Sequence, residues 1–155
     1  MVLMVIDMKV NGKMVNKKEE EFIIIRKNHE KVIDMKVNWR NGKKEGKGIY
    51  YYNDGDRYEG EFRNGNREGK GIFYYNKSGN KYEGDWRNGN REGKGIYYFN
   101  DNGRYESDFR NDKFEGNGIY YFSNGDRMMG DYYSGKPIGK HVRLTKKGDV
   151  KIENY

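Results

Sequence analysis

From Tyr58 to Arg63 the chain alternates strictly. Tyr58, Gly60 and Phe62 fall on one side of an extended backbone, and Glu59, Glu61 and Arg63 on the other. A period of two with unlike faces predicts a half-buried β-strand. Asn64-Gly65 follows, and both residues accept positive φ, so a hairpin turn is expected there. A second run places Gly69, Gly71, Phe73 and Tyr75 on one face and Lys70, Ile72 and Tyr74 on the other, before the polar stretch Asn76–Asn80. The predicted element is one β-hairpin, with a glycine/aromatic face and a face that is charged on one strand and Ile/Tyr on the other.

The pattern recurs. The stretch NGNREGKGI at Asn64–Ile72 returns unchanged at Asn88–Ile96. Marker glycines stand at Gly46, Gly69, Gly93, Gly116 and Gly139. Aligned on them, hairpin units read 35–57, 58–81, 82–104, 105–127 and 128–141. Such a period is the signature of a stacked repeat. Residues 1–34 read as a degenerate β cap, with a hairpin turn at Asn11-Gly12, a strand at Phe22–Ile25 and no long helix. Residues 142–155 read as a closing strand or hairpin around Lys147-Gly148. Caps of this kind shield sheet edges that otherwise invite aggregation. A chain that starts with Met and carries both flanks reads as self-contained.

A strand position without Cβ leaves a notch, and a ring from the neighbouring strand can lie across it. The expected fold is therefore all-β: an elongated, twisted, largely single-layer antiparallel meander of stacked β-hairpin repeats. Composition agrees. The sequence has no Ala, Gln or Cys and only Leu3 and Leu144 as leucines, against 15 Tyr, 7 Phe and 22 Gly among 155 residues. Good helix formers are scarce and strand formers abundant. Charged residues make up 35% of the chain, but an aromatic content of 15% argues for order over disorder.

The motif resembles the MORN (membrane occupation and recognition nexus) repeat, approximately Y-x-G-x-W/F-x-x-G-x-x-x-G-x-G. Tyr58, Gly60, Phe62, Gly65, Gly69 and Gly71 fit at every position, as do Tyr82, Gly84, Trp86, Gly89, Gly93 and Gly95. Met35 and Val37 depart from the pattern in the first unit, Ser107 and Asp112 in the fourth, and Met128 and His141 in the fifth. The resemblance implies a non-enzymatic interaction module. It implies cytoplasmic surroundings, with cytoskeletal, ciliary or membrane-peripheral settings, and for some members binding to phosphoinositides.

Candidate chemistry reduces largely to packing. A phosphate-binding loop needs G-x-x-x-x-G-K-[S/T] between a strand and a helix. Here Gly65 is one residue too close to Gly69-Lys70, Gly71 replaces the hydroxyl residue, and no helix pattern follows. His29 and His141 lack partners at metal-ligand spacing and read as surface or packing residues. The pairs Glu59/Glu61 and Glu83/Asp85 read as solvated, pairing across strands with Arg63 or Arg87. No catalytic site and no cofactor is expected. Without cysteine there is no disulfide framework, which suits a reducing compartment, and no stretch has the length of a membrane-spanning helix.

Two faces remain as docking candidates for another protein, met as an extended or helical segment. One is the aromatic row Trp39, Tyr58, Phe62, Tyr82, Trp86, Tyr105 and Phe109, which also reads as core. The other is the stripe Ile49/Tyr51, Ile72/Tyr74, Ile96/Tyr98 and Ile119/Tyr121. The stripe or a sheet edge would also serve a homodimer. A formal charge of +7 admits an anionic lipid surface, with Arg40, Lys43, Lys44 and Lys47 as the candidate cations. Nucleic acid fits poorly, because carboxylates stand among the cations and units 82–104 and 105–127 carry charges of 0 and −2.

Overall fold

The computed structural model describes residues 22–27, 31–36 and 38–155, with side chains from Arg40 onward. The turn expected at Asn11-Gly12, most of the expected 1–34 cap and His29 lie outside the described residues. Strands β1 (Phe22–Lys27) and β2 (Lys31–Lys36) form an antiparallel pair. The other strands are β3 (Asn38–Arg40), β4 (Lys43–Tyr51), β5 (Arg57–Arg63), β6 (Asn66–Tyr74), β7 (Lys81–Arg87), β8 (Asn90–Tyr98), β9 (Arg104–Arg110), β10 (Lys113–Tyr121), β11 (Arg127–Tyr133), β12 (Lys136–Leu144) and β13 (Val150–Asn154). They make one open 11-stranded sheet in sequence order, each strand antiparallel to the next, and no described residue is helical.

Tight turns set the register. Asn64 and Gly65 have φ of 51° and 87°, and Asn88 and Gly89 have 50° and 87°, the left-handed pair that matches the strand twist. Asn111-Asp112 makes the same turn at 47° and 65° without glycine. There Asp112 Oδ1 accepts hydrogen bonds from the Arg91 backbone N–H and Nε at 2.9 and 3.0 Å, which offsets an unfavourable backbone.

The core is a row of rings on one face of the sheet. Tyr58, Phe62, Phe73, Tyr82, Trp86, Tyr105 and Phe109 are all buried. Tyr58 lies across Gly60 of its own strand and Gly71 of the next, and a Cβ added at Gly71 would sit 2.5 Å from the ring's Cζ. Its hydroxyl donates to the Glu61 carbonyl at 3.1 Å, and Tyr82 makes the same bond to Asp85. Rings of successive hairpins then meet edge to face: Tyr58–Trp86 centroids are 5.3 Å apart and Tyr82–Phe109 4.9 Å. Trp86 Nε1 donates to the Gly71 carbonyl at 3.1 Å, tying one hairpin to the one before. Aromatic area on a Cβ-free backbone thus replaces a second layer.

The marker glycines are not the notches. Gly46, Gly69, Gly93, Gly116 and Gly139 have φ between 63° and 78°. They belong to bulges: Glu61 faces Glu68 but Gly60 faces Gly71, so β6 holds extra residues against β5. The true notches are Gly60, Gly71, Gly84, Gly95, Gly118 and Gly130, each beneath a Tyr or His ring, whereas the markers are fixed by backbone handedness. The covering ring, expected from the neighbouring strand alone, also covers a glycine of its own strand.

Candidate functional site

The bulges leave the opposite face as a groove of about 1100 Å³ running across β4 to β10. Its floor is the glycine ladder, and its pattern follows from strand register. Ile49 faces Glu59, Glu59 faces Ile72, Ile72 faces Glu83, Glu83 faces Ile96, and Ile96 faces Glu106. A row of alternating isoleucine and glutamate therefore crosses the sheet. A second row alternates rings and cations: Tyr51, Arg57, Tyr74, Lys81, Tyr98, Arg104 and Tyr121.

Each cation is held twice. Arg57 reaches Glu59 at 2.8 Å and stacks 4.1 Å from the Tyr74 ring centroid. Lys81 reaches Glu83 at 3.4 Å and Tyr98 at 4.1 Å, and Arg104 reaches Glu106 at 2.7 Å and Tyr121 at 3.8 Å. The hydrogen bond to Glu106 holds the Arg104 guanidinium above its ordinary pKa. A third row pairs Lys70 with Asp85 at 2.6 Å and Lys47 with Glu61 at 3.9 Å. The expected partners Arg63 and Arg87 make none of these ion pairs; the carboxylates turn to cations two residues away or on the adjacent strand.

The two predicted stripes separate in the structure. Ile49, Tyr51, Ile72, Tyr74, Ile96, Tyr98, Ile119 and Tyr121 share the groove side by register and are half-buried, with no described segment laid over them. Tyr58, Phe62, Tyr82, Trp86, Tyr105 and Phe109 are committed to the intramolecular stack and offer no free surface. Trp39 lies in β3, and its side chain is outside the described residues. The cations Arg40, Lys43, Lys44 and Lys47 do not form one surface. Lys44 Nζ lies 3.5 Å from the Tyr50 ring centroid on the aromatic side, where burial and then Arg67 lower its pKa. Lys47 projects from the groove side and is 85% exposed, while Arg40 and Lys43 flank the β3–β4 turn. His141 is fully buried, as a packing residue.

One set of structural residues was missed. Glu45, Glu68, Glu92 and Glu115 each accept the first turn N–H of the following hairpin, from Asn64, Asn88, Asn111 and Ser134, at 3.0 to 3.1 Å. Their sequence signal was available: a glutamate precedes four of the five marker glycines, and Ile138 precedes the fifth.

The family model for the MORN repeat matches residues 38–57, 58–79, 82–104 and 105–127, together more than half of the chain. A search of curated proteins gave no match. Among solved structures, the chain is similar to the SAS-4 TCP domain in complex with a proline-rich motif of Ana2 from Drosophila melanogaster. That match has 16% identity, covers 73% of this chain and 77% of that one, and has a TM-score of 0.42, too distant to carry an argument about function.

Proposed function

The chain belongs to the MORN repeat family, and from that premise we propose that it is a non-enzymatic scaffold that docks another protein along the Ile/Tyr groove. The supporting observation is the groove itself: a half-buried apolar row interrupted at regular steps by glutamate, on a sheet whose other face is filled by its own rings. Two strand spacings separate successive isoleucines, roughly 10 Å. An α-helix returns to the same side every seven residues, about 10.5 Å, and a polyproline helix every three, about 9.3 Å. The matching partner carries apolar side chains at that spacing. The division into an N-terminal cap, five hairpin units and a C-terminal hairpin belongs to this proposal, as do a cytoplasmic setting and a cytoskeletal or ciliary assembly.

The test is site-specific photocrosslinking. A photoreactive side chain at Ile72 or Ile96 is expected to capture a partner from the native source, and the same group at Tyr75 on the aromatic side is not. Ile72→Asp with Ile96→Asp should abolish capture. A double variant that stays folded and keeps the partner overturns the proposal. Recruitment to anionic membranes is the second reading; its exposed cations are Arg40 and Lys43 beside the β3–β4 turn, since Lys47 lies on the groove side and Lys44 against Tyr50. Flotation with anionic vesicles at low salt decides it, and absence of binding removes it.

A further inference from the structure

The exposed large apolar side chains collect at one end of the sheet. Among the residues with described side chains, the exposed large hydrophobics are Tyr133, Ile138, Val142, Val150, Ile152 and Tyr155, all beyond residue 127. The groove row changes there too. Upstream it alternates isoleucine with glutamate; from β10 onward Ile119 faces Met129, Met129 faces Val142, and Val142 faces Ile152. The row therefore runs without a charge to β13, which is the sheet edge among the described residues.

That edge is not prepared for another hairpin of the same array. In β13 the core-ring position is taken by Lys151 and the notch position by Glu153. Ile138 stands where a glutamate would hold the next turn. The aromatic core stops at His141 and Tyr155, while the backbone edge remains open.

We propose that this edge pairs antiparallel with the same strand of a second copy, about a two-fold axis at Ile152. Backbone parity supports it. Gly139 and Tyr155 exchange both hydrogen bonds, at 3.2 and 2.9 Å, and the Thr145 N–H donates to the Asp149 carbonyl at 2.9 Å. Odd-numbered residues of β13 thus point their amides at β12, and Val150, Ile152 and Asn154 point theirs outward. Centring on Ile152 pairs Val150 with Asn154 of the second copy and places Lys151 opposite its Glu153 twice, once on each side of the axis. The strand VKIEN is neutral as a whole and self-complementary in this register. Sliding it by two residues either way puts Lys151 opposite Lys151 or Glu153 opposite Glu153, and like charges directly across strands are unfavourable. The register also joins Val142–Ile152 of one copy to Ile152–Val142 of the other, closing the exposed apolar row over itself. The result is an isologous contact that joins the two sheets into one continuous face.

Sedimentation equilibrium of the full chain over a dilution series tests this. The expected result is a monomer–dimer equilibrium. Lys151→Glu and Glu153→Lys should each weaken it at least tenfold, and the double reversal should restore it, because only the Ile152-centred register sets these positions opposite each other. Ile152→Pro removes an outward N–H that β12 does not use, so it should give a folded monomer. Circular dichroism and melting of each variant separate lost pairing from lost folding. A chain that stays monomeric throughout the series, or a dimer indifferent to both single reversals, overturns the proposal; the latter places the contact on another surface. The groove proposal stands or falls separately, through its crosslinks.

Discussion

The central hairpins, β5–β8, and the last one, β11–β12, solve one packing problem with different residues. In the centre, a tyrosine on the first strand covers two glycines: Tyr58 over Gly60 and Gly71, and Tyr82 over Gly84 and Gly95. In the last hairpin the first-strand ring has become Met128 and the second glycine His141. His141 now supplies the ring, fully buried over Gly130, with its centroid 5.1 Å from that of Tyr132. Its Nε2 meets the Asp131 carbonyl at 3.0 Å, the position bonded by Tyr58 and Tyr82 in their own units. What repeats is a rule of volume: one flat ring, one polar tip aimed at one carbonyl, and at least one absent Cβ. The residue bearing the ring can change strands. The family model ends at residue 127, while the sheet continues in register through β13.

The strongest test of that equivalence is a double-mutant cycle. His141→Gly alone should cost roughly 3 kcal/mol, because it removes a buried ring and opens a cavity. Met128→Tyr alone forces a second ring into filled space and should cost about 1–3 kcal/mol. Together they rebuild the central pattern, with Tyr over two glycines, and should come close to the parent stability in urea unfolding. The coupling would then be comparable to the single losses, far outside additivity. Additive losses would mean that His141 and the core tyrosines do not occupy equivalent space.

Much of this architecture was legible in the sequence because it is local. The Asn64-Gly65 turn, the alternation of Tyr58–Arg63 and the recurring spacing each need only a few neighbouring residues, and all are found as expected. The bulge at Gly69 was not legible, since strict alternation places Gly69, Gly71 and Phe73 on one face whether or not extra residues are inserted. Nor was the choice between faces. Both carry aromatic residues at a period of two, and only cross-strand register shows one set of rings lying on glycine and the other supporting cations. The swap at His141 was visible as a substitution, but its meaning depends on the loss of Tyr at Met128, on the adjoining strand.

A smaller difference sits within the core row. The Tyr82 hydroxyl donates to Asp85, while the equivalent hydroxyl of Tyr105 is buried without a partner. Unit four has Ser107 in place of the first notch glycine, and its hydroxyl donates to the Glu115 carbonyl at 3.0 Å, with the Asn117 carbonyl at 3.2 Å as the alternative acceptor. Tyr82→Phe should therefore cost about 1 kcal/mol, and Tyr105→Phe should be neutral or stabilising, since it removes an unsatisfied polar group. Equal losses in thermal or urea unfolding would erase this distinction. Burial raises the pKa of both hydroxyls. The sign follows: unfolded tyrosines ionise near pH 10 before the folded ones do, so stability is full below that pH and falls as pH rises above it.

The mildest contrast lies at the other end of the hairpins. In the central unit, Asn80 Oδ1 accepts the Asn100 N–H at 3.0 Å, a bond without charge. In the last unit Asp126 takes that place: Oδ1 accepts the Lys146 N–H at 2.9 Å, and Oδ2 accepts Arg143 Nη2 at 2.9 Å. The Lys146 N–H first, and Arg143 with it, lower the pKa of this carboxyl. A depressed carboxylate contributes stability above its unfolded value, near pH 4, and loses it as pH falls through the folded value. Below about pH 4 the Lys146 amide should therefore lose protection from hydrogen exchange before the Asn100 amide does. Asp126→Asn should abolish that order, because an amide side chain keeps the backbone bond and does not titrate. If Lys146 and Asn100 open together on acidification in the parent chain, the charge at Asp126 contributes nothing to closing the last hairpin beyond the backbone bond that Asn80 makes without charge.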